Sequence, residues 1–218
     1  AYLAGDLNWY DSGSSSTLTG ILRVDATGAL DTSFAPSAIY PGSSPLPKIA
    51  RLSDGRIVMS GQSISFDGLS GQRLIMLDDS GNRDTGFTTN IGSGPNDAVH
   101  AVAVDPLDRI YLAGKFSSFN GSTTTGIVRL SSSGVLDTSF APSLPTTTAT
   151  RARIEFGPDG NIYVQYAGYL EKISEAGVVD TSFDLGVAIS DFVLDTQGRI
   201  LVSTSSGLMR FASDGTQD

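Results

Sequence analysis

Few residues in this chain of 218 have the chemistry for catalysis, and those few are scattered. There is one histidine, His100, and no cysteine. A Ser-His-Asp triad or a multi-histidine zinc site therefore has almost nothing to draw on, and thiol nucleophiles, disulfides and thiolate metal sites are excluded together. His100 itself is expected to be a solvated residue at a strand start. Carboxylates recur instead. Asp31, Asp84, Asp137 and Asp180 open the tetrapeptides DTSF, DTGF, DTSF and DTSF. An acid returning once per repeat, between a glycine turn and a phenylalanine, most simply ties a corner by side-chain to backbone hydrogen bonds. Phe34, Phe87, Phe140 and Phe183 are then expected to wedge between neighbouring sheets, each contributing about 2 kcal/mol on burial. These are scaffold residues.

A second recurring group has binding chemistry. Aromatic–Asx pairs stand at Tyr10-Asp11, Phe66-Asp67 and Phe119-Asn120, the last two followed by glycine, and Trp9, the sole tryptophan, precedes Tyr10. Asx-Gly favours a type I′ turn with the aromatic packed across the hairpin beneath it. Aromatic faces of this kind also stack on sugars or fill a partner's pocket. The candidate ligand-binding residues are thus Trp9, Tyr10, Asp11, Phe66, Asp67, Phe119 and Asn120. The binding reading weighs most at Trp9 and Tyr10, because two adjacent large aromatics alternate sides and are hard to bury in one loop. Asp6, Asn8 and Asp11 also scatter oxygen ligands, but the alternating Asx positions and distant Glu of an EF-hand are missing. No cofactor is expected, with Ca²⁺ at this segment the one alternative.

Composition excludes whole classes. With 14 basic against 23 acidic residues the net charge is −9, so no basic stripe exists for nucleic acid. No run of 18 apolar residues spans a membrane. Charged residues make up only 17%, low for a helical enzyme and ordinary for a secreted or surface β-protein. Runs such as Ser14-Ser15-Ser16-Thr17 and Thr146-Thr147-Thr148 read as solvated loop, open to O-glycosylation in a secreted setting.

The elements that position these residues are repeats. The four boxes are spaced by 53, 53 and 43 residues, and each follows a glycine by three positions. An aligned octet ends on each of these four glycines and on a fifth, Gly215: ILRVDATG, LIMLDDSG, IVRLSSSG, LEKISEAG and LMRFASDG. Further upstream stand the apolar runs Ile57–Gly61, Ile110–Gly114, Ile162–Tyr166 and Ile200–Thr204, and Tyr2-Leu-Ala-Gly5 matches Tyr111-Leu-Ala-Gly114. Five units follow, over residues 1–36, 37–89, 90–142, 143–185 and 186–218. Each reads as strand a, turn, strand b, strand c and an outer strand or corner, with no helical stripe. Four short antiparallel strands at this period predict an all-β propeller built from five blade units. The spacing from strand b to strand c is 16, 13 and 13 residues in units 1–3 but 4 in units 4 and 5, predicting long loops on one face. Strand a lines the central pocket, and its early positions hold Lys48, His100, Arg153 and Asp191, a mixed set without the paired acids of a glycosidase. The first unit starts at strand b and the last stops at the first letter of its box. That predicts either a piece of a longer array or a ring whose closing segment lies outside these residues.

The combined pattern FNG…GIVRLSSSGVLDTSFAP, with an upstream DGRI turn, resembles the delta-60 repeat family of bacterial and phage surface-type proteins. Unit 2 departs with Gly86 in its box, and units 4 and 5 lack the FNG loop. The resemblance implies a β-propeller and an extracellular adhesive or structural role, with no catalytic residues to carry over. The expected function is a non-enzymatic binding or structural module of an extracellular or cell-surface bacterial protein. Its expected partners are a glycan, a surface protein, or other parts of a longer polypeptide or assembly. A phage tail or fibre component contacting the host is the first alternative, and a glycoside-active enzyme the second.

Overall fold

The computed structural model describes the backbone of residues 1–11, 14–36, 40–41, 47–67, 69–144 and 151–218, with side chains for all of these except 5–19, 40 and 41. Strands dominate and fall one small antiparallel sheet to a repeat. Blade 1 holds β1 (Tyr2–Asp11) and β2 (Ser14–Arg23). Blade 2 holds β3 (Tyr40–Pro41), β4 (Lys48–Arg51), β5 (Ile57–Phe66) and β6 (Leu69–Leu77), with β5 at the centre of the pairing. A short helix, α1 (Thr85–Ile91), leads into blade 3, formed by β7 (Val99–Val104), β8 (Ile110–Gly114) and β11 (Ile127–Leu130). Between β8 and β11 a small ribbon of β9 (Ser118–Phe119) and β10 (Ser122–Thr123) projects. Blade 4 is β12 (Ala152–Phe156), β13 (Ile162–Tyr166) and β14 (Tyr169–Ile173), and blade 5 is β15 (Asp191–Leu194), β16 (Ile200–Thr204) and β17 (Gly207–Phe211).

In blades 2, 3 and 4 strand b is largely apolar because both of its faces are buried, the reason a two-sided strand reads as a near-continuous hydrophobic run. In β5, Ile57 and Met59 pack towards blade 1 with Phe34, Ile21 and Ile75, whereas Val58 packs towards blade 3 with Leu112 and Phe87. In β13, Ile162 and Val164 meet blade 3, and Tyr163 meets Phe192 and Val202 of blade 5. Four cores of this kind join the five blades in series, and among the described residues no fifth core joins blade 5 back to blade 1. The architecture is a β-propeller left open.

The repeated box ties the corners. Asp31, Asp137 and Asp180 each accept from the backbone N–H two residues on, at 3.0 Å, and from the hydroxyl of Ser33, Ser139 or Ser182 at 2.6 Å. The phenylalanines that follow are buried, Phe34, Phe140 and Phe183 at 4%, 3% and 6% exposure. The octet glycines all adopt φ between +83° and +91°, the left-handed region in which a side chain is disfavoured.

Of the two forms open to the outer segment, strand or corner, the structure shows the corner: a single bridge such as Leu130 with Leu136, followed in blades 1, 3 and 4 by a box that turns the chain through Ser-to-Asp bonds. Two expectations need correction. Among the described residues there is one helix: where Gly86 replaces the box serine, Asp84 instead accepts from Phe87 N–H at 2.9 Å and caps α1, which buries Phe87 and Ile91. The long loops of units 1 and 2 are not loops but strand extensions, β1 pairing with β2 out to Asp11 opposite Ser14, and β5 with β6 out to Phe66 opposite Leu69.

Candidate functional site: the central cavity and its rim

The starts of the inner strands meet at one level because they share a register against strand b. Lys48 lies opposite Ser60, Arg153 opposite Gln165 and Asp191 opposite Ser203, and these partners are equivalent positions in their blades. In blade 3 that register belongs to Ala101, and His100 occupies a bulge between the pairs Val99–Gly114 and Ala101–Ala113. Together they line a central cavity of 660 Å³, to which β1 adds Tyr2, Leu3 and Ala4, so all five blades contribute.

The chemistry of this cavity is cationic. Lys48, Arg151 and Arg153 line it against one carboxylate among the described residues, Asp191. Arg153 is held in place, its Nε and Nη2 donating to Glu155 Oε1 at 2.9 and 2.6 Å and its Nη1 lying 3.4 Å from both oxygens of Asp191. Glu155 also accepts from Leu194 N–H at 2.7 Å, linking blade 4 to blade 5. Gln165 reaches across the same gap, donating to the Ser190 carbonyl at 2.9 Å. No hydrogen-bonding or ion-pair partner is found for Lys48 or Arg151 among the described residues, so both are available to a ligand.

His100 is buried, at 8% exposure, which corrects the expectation of a solvated side chain. Burial pushes its pKa down, opposed by the nearby Asp97 carboxylate and reinforced by Lys115 and Lys48. Its Nε2 is buried without a hydrogen-bond partner. A neutral imidazole follows at neutral pH.

At the rim the seven sequence candidates divide. Phe66 and Phe119 are 3% and 1% exposed, so their rings belong to the core and not to a ligand surface. Asp67 and Asn120 adopt positive φ, +51° and +46°, as the Asx-Gly turn demands. Asp67 pairs with Arg83 at 3.2 Å. Asn120 docks its ribbon on the segment after α1, its N–H donating to the Gly94 carbonyl at 2.8 Å and its Oδ1 accepting from Ser93 N–H at 3.3 Å. The backbones of Trp9, Tyr10 and Asp11 pair with Ser16, Ser15 and Ser14 at the tip of the blade 1 hairpin. Their side chains, with those of Asp6 and Asn8, lie outside the described residues. Among the described residues no group of three His, Cys, Asp or Glu side chains is placed to hold a metal ion. Arg151 and Gln165 were not among the sequence candidates. Arg151 precedes its strand and Gln165 sits within an apolar one, so neither repeats from unit to unit.

An open propeller around a cationic cavity defines the class. A family described as "Domain of unknown function (DUF5122) beta-propeller" matches residues 108–140, which span β8 to the box of blade 3. No curated protein sequence matches the chain. Among solved structures, a gluconolactonase from Xanthomonas campestris is similar at 16% identity and TM-score 0.52, over 93% of this chain and 69% of that one. PorZ, a bacterial surface component of the type-IX secretion system of Porphyromonas gingivalis, is similar at 14% identity and TM-score 0.53, over 93% and 31%. The extracellular domain of a protein assigned to a hybrid two-component system of B. thetaiotaomicron is similar at 16% identity and TM-score 0.50, over 97% and 26%. The chain thus spans about a third or less of the length of the last two. At such identities the likeness is one of fold.

Proposed function

We propose that this chain is a non-catalytic binding module of a bacterial extracellular or cell-surface protein, and that it holds an anionic carbohydrate at the mouth of its central cavity. One observation carries the reading: Lys48, Arg151 and Arg153 gather around one carboxylate among the described residues, in a chain whose net charge is −9. A pocket opposite in sign to the rest of the surface concentrates ligands of the opposite charge. Arg153 is already matched by Glu155 and Asp191, so Lys48 and Arg151 supply the excess charge. A two-carboxylate glycosidase needs a second acid near Asp191, and none of the described lining residues supplies one. Low charge and abundant Ser and Thr fit display outside the cell, and the surface setting of two similar propellers supports it.

The test is an array of acidic and neutral glycans, run with and without Ca²⁺. Binding confined to acidic glycans and lost in Lys48→Ala/Arg151→Ala is the expected result. Binding lost instead in Trp9→Ala/Tyr10→Ala moves the site to the hairpin tip of blade 1, and a blank array from folded protein overturns the glycan assignment. Release of a hydrolysed product would restore the enzyme reading.

A further inference from the structure

The interfaces between blades are all apolar and three of the four are also clasped by a cation, and blade 5 carries the outward half of one more. The register of β15, β16 and β17 puts Val193, Leu201 and Arg210 in one row and Asp191, Ser203 and Leu208 in another on the same face of the sheet. Val193, Leu201 and Leu208 are 45%, 41% and 77% exposed. Their equivalents on blade 4 are covered by blade 5: Tyr163, matching Leu201, is fully buried, and Leu170, matching Leu208, is 6% exposed.

A polar clasp accompanies the apolar contact. In blades 1, 3 and 4 the third octet residue sends its cation to the main-chain carbonyl of the sixth octet residue in the next blade, whereas blade 2 has Met76 at that position and, among the described residues, no clasp. Arg23 Nη1 donates to Asp79 O at 2.8 Å, Arg129 Nη1 to Glu175 O at 2.6 Å and Lys172 Nζ to Ser213 O at 3.0 Å. In blades 1 and 3 the box aspartate holds the arginine in line, Asp31 at 2.8 Å and Asp137 at 2.7 Å. Arg210 is held in the same way by Asp218, at 2.6 Å, with no carbonyl beyond it.

The complementary half is uncovered on blade 1. Leu3 is 45% exposed, whereas its equivalents Met59, Leu112, Val164 and Val202, each packed on the preceding blade, are at most 1% exposed. Ala26 holds the sixth octet position and accepts no cation among the described residues.

We propose that the outer face of blade 5 is a docking site for one further blade of this same repeat, seated by Val193, Leu201 and Leu208 and clasped by Arg210. The occupant is specified by continuity with the three clasped interfaces inside the molecule. Its chemistry is a three-stranded blade with an apolar inward face and a free carbonyl at its sixth octet residue. This holds whether or not the central cavity binds a glycan.

The repeat supplies its own probe. Asp218 occupies the place of Asp137, so a second copy of residues 138–180 joined after Asp218 reproduces the native junction between blades 3 and 4. The expected result is a rise in Tm of about 5 °C over the 218-residue chain, with the added strands protected from hydrogen exchange. Leu201→Glu/Arg210→Ala in the shorter chain should leave Tm unchanged, because both side chains are exposed there, and should abolish the gain in the extended chain. An unchanged Tm with unprotected added strands overturns the proposal. So does a gain that survives the double substitution. If sedimentation instead shows the 218-residue chain forming head-to-tail oligomers that persist after extension, the occupant is a second copy and the assignment to an added blade fails.

Discussion

Arg129 Nη1 lies 2.6 Å from the carbonyl oxygen of Glu175, one blade further on. The same guanidinium pairs with Asp137 at 2.7 Å and sits 4.7 Å from the centroid of Phe140. One side chain thus joins its own blade's corner, the corner's aromatic wedge and the turn of the neighbour. The octet and the box are coupled through it.

Replacing this residue tests that coupling. Arg129→Ala leaves Asp137 without its cation and Glu175 without its donor, and should cost about 3 kcal/mol in urea unfolding. Arg199→Ala, which breaks an exposed pair with Asp195, should cost under about 1 kcal/mol. Arg129→Lys should recover part of the loss, because Lys172 makes the same reach in blade 4. Equal costs for Arg129→Ala and Arg199→Ala would remove the clasp from the account.

Two glycines separate backbone strain from crowding. Gly28 has φ +86° with nothing within 4 Å of where a Cβ would stand, so Gly28→Ala should cost about 1–2 kcal/mol from conformation alone. A Cβ at Gly114 would meet the Ala98 carbonyl and the Val99 backbone, which cannot move without breaking β7 from β8. Gly114→Ala should therefore be the more damaging of the two, seen as lower soluble yield and lower Tm. The reverse order would contradict the close approach of these strands.

The turn aromatics are expected to matter for stability. Phe119→Ala should cost about 3–5 kcal/mol, as for other buried phenylalanines. Asp67→Asn, which keeps a residue suited to the positive φ of this turn and loses only the charge of a half-exposed pair with Arg83, should stay within about 1 kcal/mol. Denaturant melts of the two variants measure this directly.

Stability should fall in two stages on acidification. Burial depresses the His100 pKa, so the unfolded chain takes up its proton first, and stability present above about pH 6.5 is lost as pH falls below that value. The box aspartates Asp31, Asp137 and Asp180 lie below the usual carboxylate range, chiefly through the hydroxyls of Ser33, Ser139 and Ser182. Their contribution is complete above about pH 4 and is lost as pH falls through their folded values. Urea midpoints from pH 7.5 to 5.5 should drop in the parent chain and stay level in His100→Gln, with both dropping below pH 4. A parallel decline of the two between pH 7.5 and 5.5 would show that His100 does not drive the first stage.

Much of the scaffold was legible because a repeat states its constraints several times over. The positions of strands a, b and c, the glycine turn and the box's tie to its own backbone depend on local geometry, and each appears in four or five copies. The helix after Asp84 was not legible, since a single Ser-to-Gly change releases the corner without leaving a helical stripe. Nor was the fate of Phe66 and Phe119. A turn aromatic looks the same in sequence whether it faces solvent or the next blade, and only the packing of hairpin against neighbour buries it. Arg23, Arg129, Lys172 and Arg210 were visible as aligned cations, but their acceptors are main-chain carbonyls, which any residue can supply. The sequence alone therefore determined the all-β repeat architecture and its corner chemistry, both of which arise from contacts within one unit. Tertiary structure alone decided which side chains the cavity collects and which face stays open, because those follow from the angle at which one blade meets the next.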